Sequence, residues 1–437
     1  MNKTNLKPIR LGVPAPKKAG TSDLCILAIC LIFLSLPHAF AAAELDEWIA
    51  QALESNPELI AARQRWEAAR HKIPQAAAIM DPMVGGMLMR DGTTSFSDYG
   101  LVEWMVSQQL PGFGKRSAAK QAAARESAAV GYEYLETLRS VRARVISSYW
   151  TLWAAREKER LTREAAVIAE QFEQAALACC EAGIGTQSDV LRAQIERAML
   201  EDELVTRAQQ VRVAQVAVNA LLNAPPDTPR DAGDPGQSPE FLPEPDALLA
   251  RAKSNNAMLV AREKMIQARG AALKAARREY APDVEVFVKA RQPRGSGSIE
   301  EYDTGVALTF PWLWLGKTKG LIGEARADLA SAEAEYNDAV NRLSVEILEL
   351  HTEADTAARR VRLFDAEILK MTRQLVETSL AEYQNGRADF FALLDAQRET
   401  IRVETEYIEA RAEHGRAMAM LSQMTASLAD YGKEIEP

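Results

Sequence analysis

From Lys115 to about Ala182 the chain has no proline and one interior glycine, Gly131, and the apolar residues Leu138, Val141, Val145, Tyr149 and Leu152 recur at intervals of three and four. That spacing draws one narrow apolar stripe on a helix, with Arg139, Arg142, Arg144, Glu157 and Lys158 assigned to the water-facing side. At 1.5 Å per residue such a helix is on the order of 100 Å long, deeper than any ordinary globular domain. It must therefore pack along its side in a coiled-coil-like array. A second helix follows the break at Gly183 and Gly185, its stripe running through Leu204, Ala208, Val211, Gln215, Val218 and Leu222. The predicted unit is a long antiparallel helical hairpin whose tip is the turn from Gly183 to Asp189.

Upstream, residues 44 to about 78 read as a shorter amphipathic helical segment, interrupted at Asn56-Pro57 and again at Pro74. After Asp81-Pro82 the period changes to two. Strands are predicted over 83–89 and 101–108, joined by a polar loop from Arg90 to Gly100, and Leu110-Pro111-Gly112-Phe113-Gly114 leads into the long helix. The hairpin closes at Asn223, and seven prolines between Pro225 and Pro245 then exclude helix and central strand alike.

The plan then repeats with a period of about 200. Ser55-Asn56 and Ala62-Arg63 reappear as Ser254-Asn255 and Ala261-Arg262, Pro82 as Pro282, Pro111 as Pro311 and Gly114-Lys115 as Gly316-Lys317. A second proline-free run extends from Lys317 to about Gln384, turns at Gly386, and returns through Leu393, Leu394, Ala396 and Gln397. The domain reading is an N-terminal segment 1–41, a first repeat 42–223 with hairpin 115–223, a proline-rich linker 224–245, a second repeat 246–426 with strands 283–289 and 302–310 and hairpin 317–425, and a tail 427–437.

The N-terminal segment has five basic residues, a 13-residue apolar run from Leu24 to Leu36, and Ala39-Phe40-Ala41 at the cleavage positions, the pattern of a secretory signal. Its removal takes away five of 52 basic and one of 61 acidic residues, so the net charge goes from −9 to −13. An acidic exported chain is a poor partner for nucleic acid. Cys30 follows bulky Ile29 too early for a lipoprotein anchor, and with Cys25 it leaves with the signal. Each repeat contributes two strands near the length of a tilted membrane-spanning strand. Four strands cannot close a barrel, and an open sheet edge is not viable in lipid. Cyclic self-association that pools strands into a barrel and hairpins into a tube resolves the conflict, and such a shape is a conduit.

Candidate chemistry is sparse. Gly316-Lys317-Thr318 resembles the end of a phosphate loop, but Pro311 stands where the motif needs glycine. The adjacent pair Cys179-Cys180 points about 100° apart on a helix and cannot jointly chelate one ion, and His71, His351 and His414 form no spaced pair. Met80, Met83, Met87, Met89 and Met105 have thioethers that suit monovalent copper, although methionine at alternate strand positions ordinarily serves packing. The acid-rich tip, with Glu181, Asp189, Glu382, Asp389 and Asp395, is the stronger functional candidate. No catalytic residue, cofactor or resident metal is assigned, and no nucleophile, histidine and carboxylate constellation supports a hydrolase.

The duplicated strand-and-hairpin plan resembles the TolC-type outer-membrane efflux family over 45–426. So do Gln108-Gln109-Leu110-Pro111-Gly112-Phe113-Gly114-Lys115 and the tip motifs Gly183-Ile184-Gly185-Thr186-Gln187-Ser188-Asp189-Val190-Leu191 and Tyr383-Gln384-Asn385-Gly386. The resemblance implies a mainly α fold with a small β part, assembled as a homotrimer with a 12-stranded barrel in outer-membrane lipid and a 12-helix periplasmic tube. It implies partnership with a periplasmic adaptor and an inner-membrane pump of the RND type. Asp81-Pro82-Met83 and the Pro-Gly-x-Gly-Lys step are similar to the heavy-metal branch, whose pumps export copper or cobalt, zinc and cadmium. At the entrance, alignment with the family makes Tyr383, Asp189, Asp395 and Arg387 the gate and pore constriction, and Gly183, Gly185, Thr186, Gly386 and Asp389 the adaptor-docking tips. Ala392 and Ala388 replace a second ring aspartate and the family arginine. The competing readings are an outer-membrane channel for type I protein secretion and a periplasmic coiled-coil adaptor or scaffold.

Overall fold

The computed structural model describes residues 44–89, 99–236 and 242–427. The expected signal, most of the loop between the first two strands and nearly all of the tail lie outside them. Helix α1 (44–55) runs into α2 (Pro57–Ala77), followed by β1 (Met83–Met89), β2 (Leu101–Leu110), α3 (Lys115–Glu181) and α4 (Gln187–Leu221). The second half repeats this with α5 (Pro245–Asn255), α6 (Ala257–Arg278), β3 (Val284–Pro293), β4 (Glu301–Leu308), α7 (Leu315–Leu363), α8 (Leu369–Gln384) and α9 (Phe390–Thr425).

Helix α3 is continuous for 67 residues. Its stripe residues Leu138, Val141, Val145, Tyr149 and Leu152 are all buried, and the last four pack with Trp48, Trp153, Val218, Leu222 and Ile408 into the largest core cluster. It is flanked by α2 and α6 on the strand side and by α4 and α9 toward the tip, so α3 splints pairs of shorter helices that meet end to end. At one joint Asn56 caps α2 with its side-chain oxygen while its amide nitrogen and the Ser55 hydroxyl donate to Leu221 O and Leu222 O at 2.9 Å, satisfying carbonyls left free at the end of α4. At the other, Asn256 caps α6 beside the end of α9, so the structural counterpart of Asn56 is Asn256 and not Asn255.

Arg139 departs from the expected water-facing side. It is 2 % exposed, and its guanidinium donates to Asn255 O and Ser427 O, the carbonyls that end α5 and follow α9. A cation there also meets the negative ends of two helices.

Proline and glycine positions bring further corrections. Pro74 lies inside the last turn of α2 without ending it. Gly114 does adopt a left-handed conformation (φ 81°), whereas Gly316 sits within α7 without one, and a 3₁₀ turn over Pro311–Trp314 makes that second junction. The expected unbroken helix from Lys317 to Gln384 is interrupted by one π-turn at Phe364–Ile368, which buries Phe364 against the edge of the Tyr407 ring. Strand ends also shift: β2 extends to Leu110, β3 covers 284–293 and β4 covers 301–308.

The four strands form one antiparallel sheet in the order β1-β2-β3-β4, with β2 of the first repeat paired to β3 of the second. No helix among the described residues is long and apolar enough to cross a membrane.

Candidate functional site

The sheet register sorts the strand side chains into two unlike faces. One carries Val84, Leu88, Val102, Trp104, Val106, Val284, Val286, Val288, Tyr302, Val306 and Leu308, with no charged residue. The other carries Glu103, Glu285, Lys289, Arg291, Glu301 and Asp303. Glu103 is the hub of the second face, receiving Lys289 Nζ at 2.9 Å and Arg291 Nε at 3.1 Å, and Arg291 reaches on to Glu301 and Asp303 at 3.3 and 2.8 Å. An apolar face backed by a charged one is the division a strand makes between lipid and an aqueous lumen. Gly86 and Gly305 give aromatic rings room to lie across the sheet: a Cβ would stand 3.2 Å from the Trp104 ring and 2.3 Å from the Phe287 ring.

Where strands hand over to helices, Lys115 is buried between Asp283 (2.9 Å) and Glu279 (3.1 Å), joining the start of α3 to the second repeat. Burial alone would lower the pKa of this ammonium, but its hydrogen bonds to Asp283 and Glu279 outweigh that and raise it. The Asp283 carboxylate also accepts the Gly112 N–H at 2.7 Å.

At the other end the two hairpin tips share one apolar core of Phe172, Ala176, Cys179, Val190, Ala193, Tyr383, Phe390, Leu393 and Leu394. Gly183 and Gly386 supply matching left-handed turns at φ 74° and 70°. Gly185 is not left-handed; it packs so close to Cys179 that a Cβ would stand 3.1 Å from the cysteine Cβ. Thr186 caps α4, reciprocated by Asp189 Oδ2 accepting the Thr186 N–H at 2.9 Å, and Asp389 caps α9 through the Ala392 N–H at 2.9 Å.

Tyr383 is buried, its ring edge-on to Phe390 at 5.2 Å and its hydroxyl beside the Cys179 side chain. Burial, with the neighbouring Cys179 and Asp189, pushes the phenol up to about 12. Asp189 is thus within electrostatic reach of Tyr383, while its carboxylate serves the α4 cap. Arg387 and Asp395 are exposed. The polar tie that the sequence reading missed is Arg398 to Glu196, at 3.1 and 3.2 Å from Nε with a shorter contact from Nη2, joining α9 to α4 across the two repeats. Its signal was readable: Glu196 falls between Ala193 and Leu200 on the buried stripe of α4.

Among the described residues no group of three or more His, Cys, Asp or Glu side chains is placed to hold a metal ion. The geometry offers a two-faced wall, a strand-to-helix joint and a packed tip.

Comparison with known proteins agrees with this reading. The chain is 24 % identical over 367 residues to the cobalt-zinc-cadmium resistance protein CzcC of Cupriavidus metallidurans, covering 83 % of this chain and 85 % of that protein. Its fold is similar to that of the outer-membrane channel OprN, with a TM-score of 0.75 at 20 % identity over 88 % of this chain and 90 % of OprN. It is also similar to CusC, a structure described in terms of transmembrane channel formation, with a TM-score of 0.74 at 14 % identity over 88 % and 92 % of the two chains. The profile of the family described as "Outer membrane efflux protein" matches residues 48–224 and 248–427, one segment for each repeat, so this chain belongs to the outer membrane efflux protein family.

Proposed function

We propose that three copies of this chain close a 12-stranded barrel in the outer membrane and a 12-helix periplasmic tube, forming the passive exit duct of a tripartite efflux system. The observation that carries the reading is the sheet: one uncharged face, one charged face, and two edge strands, β1 and β4, that each pair on a single side. Such edges in lipid must find strands from further copies. A periplasmic adaptor and an RND-type pump would meet the hairpin tips around Gly183, Gly185, Thr186, Gly386 and Asp389. The similarity to CzcC favours heavy-metal ions as cargo. In this reading the tip core around Tyr383 and the Arg398–Glu196 tie hold the entrance shut, and Asp395 with Asp189 gives it a preference for cations.

The test is single-channel conductance of the purified oligomer in a planar bilayer, for wild type and for Tyr383→Ala combined with Arg398→Ala. The expected result is a small, cation-selective conductance that rises several-fold in the variant. An inserted, detergent-stable oligomer that passes no current in either form would overturn the pore assignment, and a chain that fails to insert would return the periplasmic scaffold to consideration.

A further inference from the structure

Four methionines occupy a wall where packing does not require them. Met83, Met87 and Met89 of β1 and Met105 of β2 share the face that carries Glu103, Lys289 and Arg291, while the opposite face is filled by valine, leucine and tryptophan. Met83 and Met87 are 60 % and 58 % exposed, so neither contributes to an apolar core. Register gives them an order. Met105 stands directly opposite Gly85, and the Met105 methyl lies 4.0 Å from where a Gly85 Cβ would be, so its side chain leans over the glycine into the gap between Met83 and Met87. Met83 and Met87 are the two diagonal neighbours of Met105, roughly 7–8 Å away. Met87 and Met89 are two positions apart on one strand, about 7 Å.

Thioethers are soft, neutral ligands that favour monovalent copper and silver over zinc, cobalt or magnesium, and three rotatable bonds let each sulfur swing toward its neighbour. We propose that Met83, Met105, Met87 and Met89 form a ladder of overlapping two-thioether sites for a soft monovalent cation on the inner wall of the barrel. The inference rests on the channel reading above and specifies its cargo. Exposed, overlapping pairs bind loosely and hand an ion from one to the next, as conduction demands. Glu103, directly opposite Met87, is held by Lys289 and Arg291, so its charge beside the ladder is already compensated and the binding falls to the thioethers.

The test uses silver ion as the probe on the intact oligomer carrying ¹³C-methyl-methionine, in chloride-free buffer. The background is Cys179→Ser with Cys180→Ser, so that thiols do not compete. Silver should shift the methyl resonances of Met83, Met87, Met89 and Met105 together, and zinc should leave them in place. Replacing these four by leucine, close to methionine in volume, should weaken silver binding measured by calorimetry at least tenfold while the thermal midpoint stays at its wild-type value. Unchanged silver affinity in the four-leucine variant would refute the ladder, as would shifts confined to solitary exposed methionines such as Met199 and Met371. Equal shifts with zinc would refute its softness. A wild-type channel that conducts but takes up no silver removes this inference alone, whereas absent conductance removes the reading beneath it.

Discussion

Gly415 offers a sharp test of how α3 and α9 pack. A Cβ built on it would stand 2.1 Å from Cε2 of Trp150, 2.3 Å from Cδ2 and 2.4 Å from Nε1, distances at which the buried indole or a helix must move. Gly→Ala in a helix interior ordinarily stabilises by about 1 kcal/mol. Forcing an extra carbon into a packed core costs about 1–3 kcal/mol, and the neighbour here is a rigid ring on a 67-residue helix, so the upper part of that range applies. Gly415→Ala should therefore destabilise by about 1–2 kcal/mol net. The matched control is Gly270 in α6, where nothing lies within 4 Å of the added carbon, and Gly270→Ala should stabilise by about 0.5–1 kcal/mol. Both are read as thermal midpoints by circular dichroism, in one detergent and at one scan rate, because the midpoint of an oligomer that unfolds irreversibly depends on rate. Trimming the indole with Trp150→Leu should cost less in the Gly415→Ala background than in wild type, which a double-mutant cycle reports directly. If Gly415→Ala raises the midpoint as Gly270→Ala does, the close α3–α9 approach is wrong.

Burial, with Arg362 as a lesser contributor, lowers the pKa of His414 below its ordinary 6.5, so the unfolded chain takes up a proton there before the folded one does. The stability this histidine lends the fold is accordingly present above pH 6.5 and declines as pH falls from there through the lowered folded value. His414→Gln should flatten the loss of thermal midpoint over that acid range. Val288→Arg, on the uncharged face of β3, should destabilise the inserted barrel by roughly 2–4 kcal/mol if that face meets lipid at the bilayer midplane, measured by urea unfolding in liposomes. Asp283→Asn keeps an acceptor for the Gly112 N–H but leaves Lys115 with only Glu279, and a loss of about 2 kcal/mol is expected. Double replacement by Lys115→Met and Asp283→Asn should recover part of it.

Helical periodicity made the architecture legible because α3 shows its stripe without interruption: every position expected inside, from Leu138 to Leu152, is buried. Alternation likewise placed the strands to within a few residues. Arg139 was assigned to solvent because polarity is read one residue at a time, while its burial depends on two helix ends 116 and 288 positions away that supply its acceptors. Glu103 escaped notice for the same reason. Its partners Lys289 and Arg291 become neighbours only once β2 and β3 are paired, and no local pattern specifies that pairing. At the tip, sequence likeness singled out Tyr383 as a gate residue; the structure places it in a core shared by both hairpins, and the Arg398–Glu196 tie went unread because it joins two repeats that a one-dimensional reading treats separately.

The π-turn and the 3₁₀ turn also record how the two halves diverged. Asn56 and Asn256, Pro82 and Pro282, and Pro111 and Pro311 are each 200 positions apart. Across the 3₁₀ turn the offset grows to 202, at Gly114 and Gly316, and across the π-turn to 203, at Gly183 and Gly386 and at Thr186 and Asp389. A π-turn is how a helix absorbs one surplus residue without rotating everything beyond it. The second copy thus carries three more residues than the first between proline and tip, and each surplus is confined to a single irregular turn. The two tips still meet in one core, with Thr186 and Asp389 as equivalent caps on α4 and α9.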